Sequence, residues 1–301
     1  GRALLCHHPK PSSLTAMSAS GALGLWTGKL PGCGIATFAE QSFKKGDVVM
    51  QELALFVSAV EAPAGGANHK LWQALLLEKQ HGLFGKFDPD HHIGALAALR
   101  DLGPAACRDK VLDLFGGHPE DEACLSSGFA RPAHFGHAAA LICAVVDQGL
   151  LPSSALDFRE EEYGLLCQVV ALNSFRINEG LEEEDVGYDV GEAVFSLSSR
   201  INHSCSPNLE HRPLEWDVSR SDVVITFVAI EDIDPGAEVT FSYFGSGSNS
   251  EPRGERRRQL RQSWGFVCSC TRCETEEVDE LCGNGAEVGD ADKGASSEDS
   301  D

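Results

Sequence analysis

The pattern of apolar and polar residues divides the chain up to residue 172 into a β-rich beginning and a helical middle. Short strands joined by glycine-containing turns are predicted at residues 25–26, 35–39 and 48–57. Between residues 67 and 172, leucine and alanine recur at helical spacing, for example at Leu71, Leu75 and Leu76. This middle stretch is therefore predicted to be a helical insertion.

After Asn173 the pattern returns to β character. Strands are predicted at residues 194–197, 223–230 and 238–243, with a turn at 232–236. Residues 254–264 predict one more helix, with Leu260 and Trp264 facing inward. The predicted class is α+β, in which small sheets of short strands are split by a large helical insertion.

The size of the chain and its cysteine content limit the class of protein further. A chain of 301 residues can bury one substantial core with minor appendages. The longest strongly apolar run, residues 138–146, is too short for a membrane helix of roughly 20 residues, so no membrane partner is expected. Eleven cysteines without the spacing of a disulfide scaffold favour a reducing compartment, the nucleus or cytoplasm, while an acid-free N-terminus leaves a plastid open.

The formal net charge of −22 is unevenly distributed. Residues 274–301 hold eleven acidic residues and a single lysine, Lys293, which predicts a disordered acidic tail at residues 275–301. The remaining negative charge disfavours direct nucleic-acid binding and would attract basic, lysine-bearing segments of other proteins. The arginine-rich run at residues 253–261 is assigned to a helix surface rather than to a nuclear signal.

The segment CSCTRC at residues 268–273 is the clearest candidate for chemistry. Three thiolates within six residues can wrap one tetrahedral Zn²⁺ at about 2.3 Å per sulfur, which makes Cys268, Cys270 and Cys273 candidate ligands. Cys205 in the turn-rich segment NHSCSPN (residues 202–208) is the candidate fourth ligand. Four sulfurs would leave no open position, so the zinc would be structural. A reactive thiol or a disulfide pair in the cluster is the alternative.

These motifs together resemble those of a known family. NHSCSPN, then GAEVTFSY at residues 236–243, then the cysteine cluster resemble the SET-domain lysine methyltransferases in content, order and spacing. The segment GCGIAT at residues 32–37 resembles the opening of the same domain. The nearest likeness is to the SET-and-MYND branch, although the helical segment shows no cysteine and histidine cluster for a MYND finger.

The resemblance implies a division of the chain. Residues 24–245 would form the SET domain, including the helical insertion at 67–172, and residues 246–274 the post-SET helix and zinc motif. Residues 1–23 would be a flexible N-terminal segment ahead of the domain. The protein is expected to act as a monomer on a protein lysine, in a histone or another protein, with S-adenosylmethionine and structural zinc as cofactors.

The resemblance also implies roles for particular residues. Gly32 and Gly34 would let the backbone approach the methionine end of the cofactor, and the alternative is a plain hairpin turn. Asn202 would bind the amino-acid portion of the cofactor, or merely cap a turn. His203 would contact the adenine mainly through its backbone, and Phe266 would pack on the adenine face or simply belong to the core.

Tyr243 is the residue expected to act in catalysis. It ends a strand of alternating apolar and polar residues, so its hydroxyl is predicted to point into a channel where it orients the amine. One alternative is a SET-fold module that binds basic proteins with weak or no methyl transfer. A small zinc-binding interaction protein without a cofactor site is another.

Overall fold

The computed structural model describes eight ranges of the chain: residues 24–30, 34–58, 67–80, 90–114, 138–178, 189–217, 222–244 and 250–283. The predictions for residues 1–23, for Gly32 and for residues 284–301 lie outside these ranges. None of the helices in the described ranges is long and apolar enough to cross a bilayer.

Within the described ranges, the strands are short and form four small sheets. They are β1 Leu25–Leu30, β2 Gly34–Ala39, β3 Val48–Leu53, β4 Phe56–Val57, β5 Ser174–Asn178, β6 Asp189–Val194, β7 Asn202–His203, β8 Leu209–His211, β9 Glu215–Asp217, β10 Asp222–Ala229 and β11 Thr240–Phe241. β1 and β2 form an antiparallel hairpin, and β10 pairs with β3, β8 and β9. β6 lies between β4 and β5, and β7 and β11 are parallel.

The helices lie mainly between β4 and β5. They are α1 Ala67–Gln80, α2 Asp90–Ala106, α3 Ala138–Asp147, α4 Glu160–Asn173, α5 Arg253–Trp264 and α6 Thr271–Gly283. A π-helical turn, Cys107–Val111, extends α2 beyond a kink at Gly103 and Pro104. The predicted fold class, small sheets split by a helical insertion, is confirmed.

The apolar residues form two main cores that match this division. The helical core contains Leu71, Leu96 and Leu166 from three helices, together with Phe56 of β4 and Val194 of β6. The insertion is therefore packed onto the sheet that precedes and follows it in sequence.

The second core belongs to the sheets and is organised by β10. Val223, Ile225 and Phe227 alternate along this strand, so they share one face, and all three are fully buried. β-branched and aromatic side chains favour such a strand. Phe241, which immediately precedes the candidate catalytic segment, packs against Phe227 with ring centroids 5.2 Å apart.

The acidic C-terminal segment differs from the prediction over its first residues. α6 spans Thr271–Gly283, so the expected disordered tail is helical up to residue 283. The acids here are paired with arginines: Glu276 lies 2.7 Å from Arg256, and Glu277 lies 2.9 Å from Arg253. The acidic residues of α6 thus have arginine partners on α5, which the composition of the tail alone does not reveal.

Candidate active site and metal centre

A cavity of about 1410 Å³ lies between the helical insertion, the sheets and the C-terminal segment. The five described residues that were expected to bind the cofactor line it: Gly34, Asn202, His203, Tyr243 and Phe266. Small-molecule sites in proteins usually measure about 300–1,000 Å³, so this cavity has room for a cofactor and a side chain of a second molecule. Gly32 lies outside the described residues.

The parallel pair β7–β11 brings the two sequence motifs together. Thr240 is opposite Asn202, and Phe241 is opposite His203. The amide of Ser204 donates to the carbonyl of Phe241 at 3.0 Å, which continues the pairing. Because Tyr243 follows β11 by two residues, it emerges beside the asparagine–histidine segment rather than at the end of a long strand.

The hydroxyl of Tyr243 is fixed by a backbone contact. It donates to the carbonyl oxygen of Ile201 at 2.9 Å, while Tyr243 itself lines the cavity. Burial, and secondarily the charge of Glu238, raises the pKa of Tyr243 above its ordinary value. The phenol therefore stays protonated at neutral pH, and its oxygen keeps lone pairs that can accept from a ligand in the cavity.

The imidazole of His203 makes a hydrogen bond through each ring nitrogen. The backbone amide of Tyr243 donates to Nδ1 at 3.0 Å, and Nε2 lies 3.3 Å from the sulfur of Cys205. A backbone N–H can only donate, so Nδ1 is unprotonated and Nε2 carries the proton toward the sulfur. Burial lowers the pKa of His203 to about 4, with Cys270 opposing the shift, which agrees with a neutral ring.

Asn202 is held by a carboxylate that received no role from the sequence. Its Nδ2 donates to Oε1 of Glu238 at 2.9 Å, which leaves the amide oxygen as an acceptor. Asn208 anchors the same strand by donating to the carbonyl of Glu238 and accepting from the amide of Thr240, both at 2.8 Å. Burial raises the pKa of Glu238, although the hydrogen bond from Asn202 acts in the opposite direction.

Gly34 and Phe266 border the cavity from two different segments. Gly34 has φ of 81°, a left-handed conformation that favours glycine, and a Cβ there would meet no atom within 4 Å. Phe266 is half-buried, and its ring centroid lies 6.1 Å from that of His203 and 6.2 Å from that of Tyr243. Trp264 packs 5.3 Å from the Tyr243 ring and adds an aromatic wall.

Glu52 on β3 orders the segment that leads into Asn202. Its Oε1 accepts from the amides of Ser196 and Leu197 at 2.9 and 2.8 Å, and its Oε2 accepts from the amide and hydroxyl of Ser198 at 2.8 and 2.6 Å. These four bonds fix the 3₁₀ turn Ser198–Arg200 that immediately precedes β7. The sequence placed Glu52 in the opening strands and did not indicate this contact 144 residues away.

The four candidate zinc ligands lie together. The sulfurs of Cys205, Cys268, Cys270 and Cys273 are all within 4.8 Å of one another, with Cys205 3.9 Å from Cys268 and 3.7 Å from Cys273. Hydrogen bonds from Cys205 and Cys268 lower the pKa of Cys270. None of these distances corresponds to a disulfide of about 2.05 Å, and four cysteine sulfurs are a donor set that fits tetrahedral Zn²⁺.

The geometry agrees with the result of a family comparison. The SET domain family model matches residues 34–244, which is more than half of the chain. The chain belongs to the SET domain family.

Individual relatives match shorter segments. Protein-lysine N-trimethyltransferase SMYD5 of Homo sapiens is 36% identical over 86 residues, 29% of this chain and 19% of that protein. Histone-lysine N-methyltransferase SMYD3 of Homo sapiens is 32% identical over 135 residues, 45% of this chain and 27% of that protein. Histone-lysine N-methyltransferase SET5 of Meyerozyma guilliermondii is 38% identical over 88 residues, 29% of this chain and 17% of that protein. The chain therefore spans about a quarter or less of the length of these relatives, and the expected likeness to the SET-and-MYND branch is confirmed.

Solved structures show a weaker likeness. The crystal structure of the SET domain of LSMT bound to lysine and AdoHcy has a TM-score of 0.44 and 12% identity, covering 81% of this chain and 53% of that chain. The structure of Rubisco LSMT bound to AdoMet has a TM-score of 0.42 and 11% identity, covering 82% of this chain and 52% of that chain. The family assignment rests on the sequence match.

Proposed function

We propose that this chain transfers a methyl group from S-adenosylmethionine to the side-chain amine of a protein lysine. The observation that carries the proposal is the convergence of Asn202, Tyr243 and Phe266 on one cavity inside a SET domain. The relatives are named as protein-lysine and histone-lysine methyltransferases, which supports this substrate class.

Each residue has a task that its contacts support. The amide oxygen of Asn202, oriented by Glu238, is available to accept from the ammonium of the cofactor's amino-acid portion. Phe266 offers an aromatic face at the edge of the cavity for the adenine. When bound, S-adenosylmethionine supplies an electrophilic methyl carbon attached to a sulfonium.

The attacking lysine must lose its proton before it can act as a nucleophile. A free lysine has a pKa near 10.4, and burial beside apolar rings disfavours its charged form. Phe241, Tyr243 and Phe244 line the cavity with such rings. The Tyr243 oxygen, whose own proton is committed to Ile201, can accept an amine N–H and so direct the nitrogen lone pair.

The substrate is proposed to be a lysine in a basic protein segment, with histones as one class to examine. The formal net charge of −22 supports this choice, because an acidic protein attracts basic partners. A purified chain would be incubated with methyl-labelled cofactor and histone or other basic protein fractions. Label on lysine supports the proposal, whereas cofactor binding without transfer to any fraction would favour a binding module.

Substitution of the tyrosine tests its role directly. Tyr243→Phe should lower the rate of methyl transfer at least tenfold, about 1.4 kcal/mol of barrier, because the oxygen that orients the amine is lost. Cofactor affinity, measured by calorimetry, should stay within a factor of about three.

The matched control is Tyr163→Phe, which removes a hydroxyl that is fully buried in the helical core and contacts His92 at 3.0 Å. This variant should change stability but leave turnover near that of the wild type. A Tyr243→Phe enzyme with unchanged turnover would contradict the assigned role.

A further inference from the structure

The arginine-rich run on α5 is divided between two environments. Arg258 is 55% exposed and pairs with Glu255 on its own helix. Arg256 is completely buried, although it carries the same charge and lies only two positions away. A buried guanidinium is costly unless anionic partners surround it, so the position of Arg256 requires a local source of negative charge.

Arg256 lies between the cysteine cluster and α6. Its Nη2 donates to Oε2 of Glu276 at 2.7 Å and lies 3.5 Å from the sulfur of Cys273, while Nη1 donates to the carbonyl of Glu251 at 2.6 Å. Its Nε is buried without a hydrogen-bond partner among the described residues. The contact with sulfur distinguishes Arg256 from a residue that only joins two helices.

Two further arginines approach the backbone of the cluster. Arg257 donates through Nε to the carbonyl of Cys268 at 2.9 Å, and Arg272 donates through Nη1 to the carbonyl of Cys205 at 3.3 Å. Of the three guanidinium groups, only that of Arg256 is fully buried and placed against a sulfur atom. It is therefore the group whose field acts on the thiolates with the least screening by water.

The charge expected for the zinc-loaded cluster explains the contact between Arg256 and the sulfur of Cys273. Four thiolates and one Zn²⁺ sum to −2, and three of the four cysteines are buried. The buried guanidinium of Arg256, 3.5 Å from the sulfur of Cys273, lies close enough to offset part of this negative charge. We propose that Arg256 is a positioning residue of the metal centre, whose buried charge offsets the negative zinc–thiolate cluster and raises its affinity for zinc. The inference does not depend on the methyl-transfer activity.

The primary test measures zinc affinity of the full chain by competition with a chromophoric chelator, at fixed pH under reducing conditions. Arg256→Met should weaken zinc binding at least tenfold, since outer-shell partners of metal ligands typically change affinity about 10–100-fold. Arg258→Met, which removes an exposed arginine from the same helix, should leave the affinity within about twofold of wild type. Unchanged zinc affinity in Arg256→Met would overturn the proposal.

A second variant separates charge compensation from helix docking. Glu276→Gln breaks the same Arg256–Glu276 ion pair but leaves the guanidinium beside Cys273. Without the Glu276 carboxylate, more of the positive charge of Arg256 acts on the cluster. Zinc affinity should then be equal to or higher than that of wild type. A loss as large as that in Arg256→Met would show that the ion pair merely docks α6, and would overturn the proposal.

Arg256→Lys keeps the proposal testable if Arg256→Met does not fold, which circular dichroism would show. Lysine retains the buried charge but cannot contact the sulfur, Glu251 and Glu276 in one plane. Zinc affinity within about threefold of wild type supports a role for the charge. A tenfold loss in Arg256→Lys, with its helical content intact, would overturn it.

Discussion

The imidazole of His203 lies between the candidate metal centre and the candidate catalytic tyrosine, because its two ring nitrogens face different parts of the site. Nδ1 accepts from the backbone amide of Tyr243, and Nε2 faces the sulfur of Cys205. The ring is also in edge contact with Tyr243 and Phe244, with centroids 5.3 and 5.2 Å apart. A single residue therefore contacts the candidate catalytic tyrosine and a candidate zinc ligand at once.

Two amide substitutions separate these contacts. The Oδ1 of asparagine lies close to where Nδ1 does, so His203→Asn should keep the bond from Tyr243 and retain most of the turnover while weakening zinc binding about tenfold. The longer amide of glutamine reaches toward the Nε2 position, so His203→Gln should retain zinc better and lose about tenfold in turnover. Zinc affinity and methyl transfer are measured on both variants. Equal losses of both quantities in the two variants would contradict the separation.

Site residues could be found from the sequence when their partners lie close to them along the chain. Cys268, Cys270 and Cys273 lie within six residues, so their metal-binding spacing is visible in the chain itself. Cys205 had to be inferred across 63 residues from a motif, and the structure places it with the others. Glu52 and Arg256 gave no local indication, because their partners are brought to them only by the tertiary fold.

At the scale of elements, periodicity predicted the helical insertion, α5 and the central strand, but it predicted neither α6 nor the shortest strands. β7 and β11 have only two residues each, which is too short for an alternating pattern. β5 directly follows α4, so the sequence gives no separate signal for where the helix ends and the strand begins. The parallel pairing of β7 with β11 depends on contacts between residues 38 positions apart. The motifs that contain Asn202 and Tyr243 could therefore be found in the sequence, but the strand pairing that brings them together is visible only in the structure.

The helical insertion depends on a close approach between α2 and α4. A Cβ built on Gly94 would lie 2.6 Å from Cγ1 of Val170, a side chain that is 5% exposed and branched at its β carbon. Gly94→Ala should therefore force these helices apart and lower the free energy of unfolding by about 1–3 kcal/mol. Chemical denaturation followed by circular dichroism measures the effect.

Gly254 is the matched control for this substitution. It also lies in a helix, but a Cβ there would meet no atom within 4 Å. Gly254→Ala should remain within about 1 kcal/mol of wild type, on the stabilising side, because alanine is the better helix former. Equal destabilisation by both substitutions would show that the α2–α4 contact is not tightly packed.

At the scale of the whole molecule, the two main cores and the metal centre are distinct groups of side chains. The third cluster of buried residues consists of Leu260 and three of the candidate ligands, with Tyr243, Trp264 and Phe266 packed against it. The aromatic walls of the cavity thus pack against the candidate metal ligands, whereas the helical core does not include any residue of that cluster. Metal loss should consequently affect cofactor binding more than helical stability.

Zinc removal tests this division. Phe266 is only two residues from Cys268, and the segment from 266 to 270 is held between α5 and α6 without regular secondary structure. Chelation, or the substitution Cys273→Ser, should release this segment and weaken S-adenosylmethionine binding at least tenfold in calorimetry, while the helical signal in circular dichroism is largely retained. Cys143→Ser is the control, because Cys143 is exposed on α3 and lies outside the cluster, so it should leave both quantities unchanged. Full cofactor affinity in metal-free protein would show that the cavity keeps its aromatic wall without zinc, and that the metal acts on stability alone.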